Sequence, residues 1–406
     1  MHAALLVAIC TSVVRRAAAG YRLSFRMGTP PATTGMGAVN LPLTKLQLST
    51  MNLRFGMPRF LLILVLALVG AGCATVRPPA PAPSYAQKPE NLSVLRGIAI
   101  GQVLEDRILA LDPEHLSAAD VATLAAGPTP RIILLHGGIY PVHLAMESFG
   151  EFLVGMGYPE AKIRDVATGE WSYSPYDSSD RLAGLVAWYY EHDALRPMLV
   201  GHSQGGLHAV KIIKELAGQR SGRVSTWNPM TGTTEDRTTI TDPLTGKERQ
   251  VIGTSVAYAS VVGAGGWALA LPHQWESLDT LRRIPDNVDE FTGYFISVDF
   301  FALSFPGNPL DRRYESSGKA NVRNVMLPAT YNHVMMPATA ELAQDAKVRD
   351  WINAFVPGND PDASMLPANA QSQVMWAADV WYSIKKHWCL EAQTLIRARR
   401  TALGRP

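Results

Sequence analysis

The stretch Pro197-Met198-Leu199-Val200-Gly201-His202-Ser203-Gln204-Gly205-Gly206 decides the fold. Its first four residues are an apolar run of strand character, and the rest begins as a Gly-x-Ser-x-Gly turn. After the turn, Leu207, Val210, Ile213 and Ala217 recur at helical spacing, and Gly218 supplies a C-terminal stop. A strand that enters a helix through so sharp a turn needs small residues around it, because the two backbones pass closely. The serine at the apex is pushed out of the backbone path, with its hydroxyl exposed. The five-residue pattern alone is unspecific in a chain with 33 glycines, and the flanking strand and helix give it meaning.

A second signal lies upstream. Arg131-Ile132-Ile133-Leu134-Leu135 reads as a buried strand and runs into His136-Gly137-Gly138-Ile139. The interval up to Ser203 accommodates a helix from His143 to Gly155, a short strand at Lys162 to Ala167, and a further helix. Ser178 and Ser179 would cap that helix, which carries Leu182, Leu185, Val186 and Tyr189. Strand, His-Gly-Gly loop and Gly-x-Ser-x-Gly turn, in that order, resemble the α/β-hydrolase superfamily and, within it, the lipase/esterase group. The resemblance covers about Pro130 to Val356 and is specific in these two motifs. It implies an α/β fold with a mostly parallel central sheet flanked by helices and a small cap or insertion. It also implies that Ser203 is a nucleophile. The backbone N–H groups of Gln204 and Gly138 would stabilise an oxyanion, with Ile139 as the alternative to Gly138.

A serine hydroxyl needs a base to take its proton and a carboxylate to orient that base. The resemblance sets the chain order as serine, acid, histidine. Four histidines follow Ser203: His208, His273, His333 and His387. His208 falls inside the helix after the turn, His273 in an apolar segment, and His387 in a helical tail. His333 follows a strand at Val322 to Leu327 and the loop Pro328-Ala329-Thr330-Tyr331-Asn332, so it is the expected base. Phe291 to Val298 is rich in β formers and places Asp299 at its end as the expected acid. Asp311, Asp289 and Asp286 compete with it.

Charge is nearly balanced, at 37 Lys+Arg against 35 Asp+Glu, and nothing in its distribution points to nucleic acid. Three cysteines, Cys10, Cys73 and Cys389, exclude a disulfide framework and a Cys-rich zinc site. The chemistry read from the motifs calls for no metal and no organic cofactor. Met57-Pro58-Arg59 precedes the apolar run Phe60 to Val69, and Gly70-Ala71-Gly72-Cys73 follows. Residues 51–72 thus read as a signal peptide. The ending resembles that of bacterial lipoprotein signals, which implies a lipidated Cys73, although Gly70 stands where leucine is usual; the alternative is an ordinary signal with an incidental cysteine. Residues 73–90 contain Pro78-Pro79-Ala80-Pro81-Ala82-Pro83, a semi-extended tether. Ala74 in place of an acidic residue favours the outer membrane, by the same resemblance. Residues 1–50 are unexplained, and a start at Met51 or Met57 would leave them untranslated.

The expected hydrolase domain spans 91–361. Thr226 to Arg249, with the turn signal Asp242-Pro243-Leu244-Thr245-Gly246, suggests a surface hairpin inserted near the site. Ser255 to Gly263 reads as a buried strand, and about 264–290 as a cap. Its Trp267, Leu269, Leu271 and Trp275 would line an acyl pocket or pack in the core. Thr339 to Phe355 reads as a terminal helix on the sheet. Residues 362–406 form a helical tail with Trp376, Trp381 and Trp388, docked on the domain or lying at a membrane surface. The expected activity is hydrolysis of carboxylic esters on a small-molecule or lipid acyl substrate, by a lipid-anchored protein of the cell envelope. A thioesterase, amidase or acyltransferase would use the same residues, and a non-catalytic hydrolase-like lipoprotein binding an envelope partner is the alternative of another class. The sequence specifies no oligomeric state.

Overall fold

The computed structural model describes residues 92–265, 280–304, 313–359, 362–367, 370–371 and 373–405. All of these lie within one compact unit, Arg77–Pro406. The expected signal peptide, Cys73, the tether, His273, Asp311 and the tryptophans and leucines of the cap lie outside the described residues. No helix among the described residues is long and apolar enough to cross a membrane.

Five strands form the central sheet: β1 (Ile132–Leu135), β2 (Met198–His202), β3 (Val256–Val262), β4 (Val288–Ile296) and β5 (Asn321–Leu327). They pair in sequence order and every pair is parallel. β1, β2 and β3 are buried at every position, as expected of strands covered on both faces, and they read as apolar runs broken only by His202 and Ser260. β5 is the edge strand, partly exposed along most of its length, and carries Arg323 and Asn324.

Alternate residues feed two cores. Ile132, Leu134, Met198, Val200, Tyr258 and Tyr294 face one side, under helices α2 (Gln102–Leu109), α3 (Ala118–Ala125), α4 (Tyr140–Gly155), α7 (Ala346–Ala354) and α8 (Val374–Ala402), while α1 (Ser93–Gly97) buries Leu95 in a small cluster with Leu395 of α8. Ile133, Leu135, Leu199, Val261 and Phe291 face the other, under α5 (Ser179–Asp193) and α6 (Gln204–Leu216). α6 ends in the two bonds of a Schellman turn: Gln219 N–H donates to the Lys214 carbonyl and Gly218 N–H to that of Glu215, both at 2.9 Å, with Gly218 at φ +70°.

The structure corrects several expectations. Lys162 to Ala167 is not a strand. Glu160–Lys162 is a 3₁₀ turn, and the Asp165 carboxylate accepts the N–H groups of Ala167 and Thr168, which curls the chain away from the sheet. The edge of β1 is met instead by a single parallel bridge between Leu135 and Tyr173. β4 begins at Val288, so the last residues assigned to the cap belong to the sheet. The terminal helix is broken: a 3₁₀ turn (Ala340–Ala343) precedes α7, because Asp345 caps α7 through the N–H groups of Lys347 and Val348. The insertion forms two small hairpins. Of these, Thr239–Thr241 with Glu248–Gln250 binds Tyr190 and Glu191, near the end of α5 that leads into β2. It therefore sits at the opposite edge of the sheet from Ser203, not near the site.

Of the two places open to the tail, α8 takes the first. Trp376, Trp381 and Trp388 are fully buried. Polar groups clamp the helix to the sheet: Arg323 pairs with Asp379 at 2.8 Å, and Ser383 donates to Glu290 at 2.9 Å. Glu105 of α2 accepts from Arg399 and Arg400.

One buried group makes folding pH-dependent. His208 on α6 is 5 % exposed, and burial, with Lys211, Arg220 and Arg181 nearby, pushes its pKa down to about 4. The unfolded chain therefore binds this proton from about pH 6.5 downward while the native chain refuses it until about pH 4. Stability is present above pH 6.5 and is lost as pH falls. From pH 7.5 to pH 5 the loss from this group is about 2 kcal/mol. Denaturant titrations at these two pH values are expected to show this difference, and His208→Gln to reduce it.

Candidate active site

The register of the sheet brings the critical loops to one edge. Leu135 pairs with Gly201, His202 with Val262, Val262 with Tyr294, and Ile296 with Leu327. The loops beginning at His136, Ser203, Gly263, Ser297 and Pro328 thus emerge together at the C-terminal ends of parallel strands, the edge where such sheets hold ligands.

Ser203 occupies the turn between β2 and α6 with φ 56° and ψ −122°, a conformation that a residue with a side chain rarely adopts. Its N–H donates to the Val262 carbonyl at 2.9 Å, and its own carbonyl accepts from Gly206 at 3.0 Å. The glycines of the motif allow this. A Cβ on Gly205 would strike the carbonyls of Leu135 and His136, and one on Gly201 would strike the backbone of Gly205 and Gly206. The oxyanion-loop candidates lie against the serine: a Cβ on Gly137 would be 2.9 Å from Ser203 Cβ, and one on Gly138 would strike the Gln204 side chain. The N-termini of α4 and α6 both open here, so two positive helix ends converge.

His333 and Asp299 are brought together. His333 Nδ1 lies 2.6 Å from Asp299 Oδ2, and the residues are 8 % and 3 % exposed. Asp299 is fixed by a tight return of the chain. Its N–H donates to Ser304 O at 2.7 Å, its carbonyl accepts from Ser304 N–H at 2.9 Å, and its Oδ1 accepts from Ala302 N–H at 2.9 Å. The strand before it ends at Ile296, so Asp299 stands on this return rather than at the strand end. His333 Nε2 is engaged by neither bond that fixes the residue, and Ser203 Oγ makes no hydrogen bond among the described residues. Contacts between nucleophile and base often tighten only with substrate bound.

Among the described residues, the competing ones lie elsewhere. Asp289 is paired with Arg196 at 2.6 Å, at the start of β4 and so at the far edge. Asp286 accepts the N–H groups of Lys319 and Ala320. His387 is buried on α8 beside Glu290, at 3.3 Å.

Three residues near His333 carried no expectation. His202 is fully buried and donates through Nε2 to the His333 carbonyl at 2.7 Å, tying the serine turn to the loop that carries His333. Burial and the neighbouring His333 hold its pKa well below the usual imidazole value, so it stays neutral. Phe301 stacks on the His333 ring, with centroids 5.4 Å apart. Gly263 has φ +57°, and a Cβ there would lie 2.8 Å from both Nδ1 and Cε1 of His333. Gly263→Ala is therefore expected to displace the imidazole and, if His333 serves as the expected base, to lower kcat by about 10²-fold, the scale of a misplaced catalytic group. Its melting temperature should fall by only a few degrees, about 1–3 kcal/mol of strain. Steady-state kinetics and a thermal melt test this.

No family model matches the chain, and no curated protein matches it. A solved structure described as "RedJ with PEG molecule bound in the active site" is similar at 16 % identity, with a TM-score of 0.26 over 57 % of this chain and 92 % of that one. At that score the likeness assigns nothing to this chain.

Proposed function

We propose that the chain is a serine hydrolase of the α/β-hydrolase kind that cleaves carboxylic acyl esters. The observation that carries this reading is the buried hydrogen bond between His333 and Asp299, beside a serine held at positive φ. Ser203 Oγ attacks the ester carbonyl carbon while His333 Nε2 takes its proton. The electron pair of the carbonyl moves to oxygen, where the N–H groups of Gln204 and of Gly138 or Ile139 receive it. Collapse expels the alkoxide, which leaves as the alcohol with the proton from His333, and Ser203 remains acylated. Water, activated by the same imidazole, releases the acid. Asp299 keeps the Nδ1 proton in place and balances the imidazolium charge.

Support for an apolar acyl group comes from the rim. Ile139, Tyr140, Phe300, Phe301 and Met335 are all about half exposed or more, on the loops that carry the proposed machinery. In the same reading Cys73 bears a lipid, and the Pro/Ala-rich tether holds residues 91–361 and the helix after them near the envelope membrane.

A panel of p-nitrophenyl esters from acetate to palmitate, assayed with fractionated cells expressing the full chain, tests both parts. The expected result is turnover that favours medium or long acyl chains, found in the membrane fraction. Absence of turnover on every ester, with turnover on acyl thioesters or amides, would move the substrate class while keeping the mechanism.

A further inference from the structure

We propose that Tyr176 is a positioning residue that holds the oxyanion loop in its donating arrangement; the inference rests on the serine hydrolase reading above. Tyr176 is 63 % exposed, yet its hydroxyl reaches back and donates to the Gly138 carbonyl at 3.0 Å. A trans peptide unit is planar, with its N–H directed opposite to its C=O. Holding the Gly138 carbonyl therefore fixes the Ile139 N–H, turned away from Tyr176. The preceding unit is held in the same way. His136 Nδ1 lies 2.7 Å from the Gly137 carbonyl, and because a carbonyl only accepts, the ring must carry its proton on Nδ1. That bond fixes the Gly138 N–H. Burial holds the His136 pKa below the usual imidazole value, which keeps the ring neutral.

The loop's two alternative donors to the oxyanion, the N–H groups of Gly138 and Ile139, thus each belong to a peptide plane pinned by a side chain. The pins matter because the loop is Gly-Gly. Glycine populates both signs of φ, so an unpinned plane turns over at small cost. A turned plane would present a carbonyl oxygen to the developing negative charge.

The phenol is delivered by a firm frame. Tyr173 N–H donates to the Leu134 carbonyl at 2.8 Å, and the Tyr173 carbonyl accepts from His136 N–H at 3.2 Å. The Tyr176 loop is therefore fastened to the strand that leads into the oxyanion loop. Within that loop Ser174 Oγ accepts from Tyr176 N–H at 3.2 Å, and the Ser174 carbonyl accepts from Asp177 N–H at 3.1 Å. A Cβ on Gly138 would come within 2.9 Å of the Tyr176 hydroxyl, so the phenol closes directly over this residue.

Tyr176→Phe in the full chain removes the hydroxyl and nothing else. The expected result is a kcat about tenfold lower with KM nearly unchanged, a smaller effect than loss of a donor itself. Affinity for a trifluoromethyl ketone, which adds Ser203 Oγ to give a tetrahedral oxyanion, should fall by the same factor, with an unchanged melting temperature. Wild-type kcat and wild-type inhibitor affinity would overturn the inference, as would a raised KM at unchanged kcat, which would make Tyr176 a wall of the substrate path. Ser203→Ala, run in parallel, separates the two levels: if that variant still turns over ester, the hydrolase reading falls and this inference with it.

Discussion

Ser203→Ala is expected to lower ester turnover by about 10⁵–10⁶-fold, the scale seen when a serine nucleophile is removed from a complete catalytic set. Labelling by a fluorophosphonate should vanish, while the fold persists, because the hydroxyl makes no hydrogen bond among the described residues. Ser203→Gly adds a stability readout. At φ 56° and ψ −122° the native residue stores about 1–3 kcal/mol of backbone strain, which glycine relieves. Glycine's extra conformational freedom when unfolded takes back about 0.5–1 kcal/mol. The net gain is about 1 kcal/mol, a melting temperature higher by about 2–4 °C. An inactive variant more stable than its parent is what a turn shaped for chemistry rather than stability predicts. Retention of labelling in Ser203→Ala would place the nucleophile elsewhere.

The parts of the site that could be read in the sequence are those where the backbone dictates residue type. Gly201 and Gly205 are legible because any side chain there collides with neighbouring main chain, so the spacing around Ser203 announces the turn. β1, β2 and β3 are legible because strands covered on both faces must be apolar at nearly every position. The sequence favours Asp299 over Asp286, Asp289 and Asp311 by its place after a strand, but not by anything that aims its carboxylate. The direction of a carboxylate past a strand end depends on the return at Ala302 and Ser304, closed by Asp299 Oδ1 on Ala302 N–H and by backbone bonds between Asp299 and Ser304 that no local pattern announces. Tyr176 and His202 act on main-chain carbonyls, of Gly138 and His333, and a carbonyl leaves no mark in the sequence of its partner.

The tail shows the same limit on a larger scale. α8 carries Asp379, Lys385, His387, Glu391 and Arg399 among its apolar residues, a mixture that fits a half-exposed or membrane-surface helix. All five are buried, because partners wait on other segments: Arg323 for Asp379, the carbonyls of Leu116 and Asn353 for Lys385, Glu290 for His387, Arg196 for Glu391 and Glu105 for Arg399. A buried charge is tolerated only when paired, and pairing across so many residues is invisible in a local pattern.

Asp299→Asn is expected to lower kcat by about 10⁴-fold while leaving Ser203 in place. The two carboxylate oxygens have separate tasks: Oδ1 accepts from Ala302 N–H at 2.9 Å, and Oδ2 faces His333 Nδ1 at 2.6 Å. The Ala302 N–H can be met only by an acceptor, so asparagine keeps its oxygen there and turns its NH₂ group toward the imidazole. A neutral imidazole facing a donor must present a lone pair at Nδ1, which moves its proton to Nε2. That nitrogen can then no longer take the Ser203 proton, and the imidazolium formed later has lost its counter-charge in a site where Asp299 is 3 % exposed. Nitrogen chemical shifts of His333 should report the exchanged tautomer. Asp289→Asn, which alters a carboxylate paired with Arg196 at the far edge of the sheet, should keep kcat within about twofold of the parent, since surface pairs contribute little. If Asp299→Asn stays within tenfold of the parent while Asp311→Asn does not, the orienting acid is Asp311 and the bond to Asp299 serves only to hold the loop.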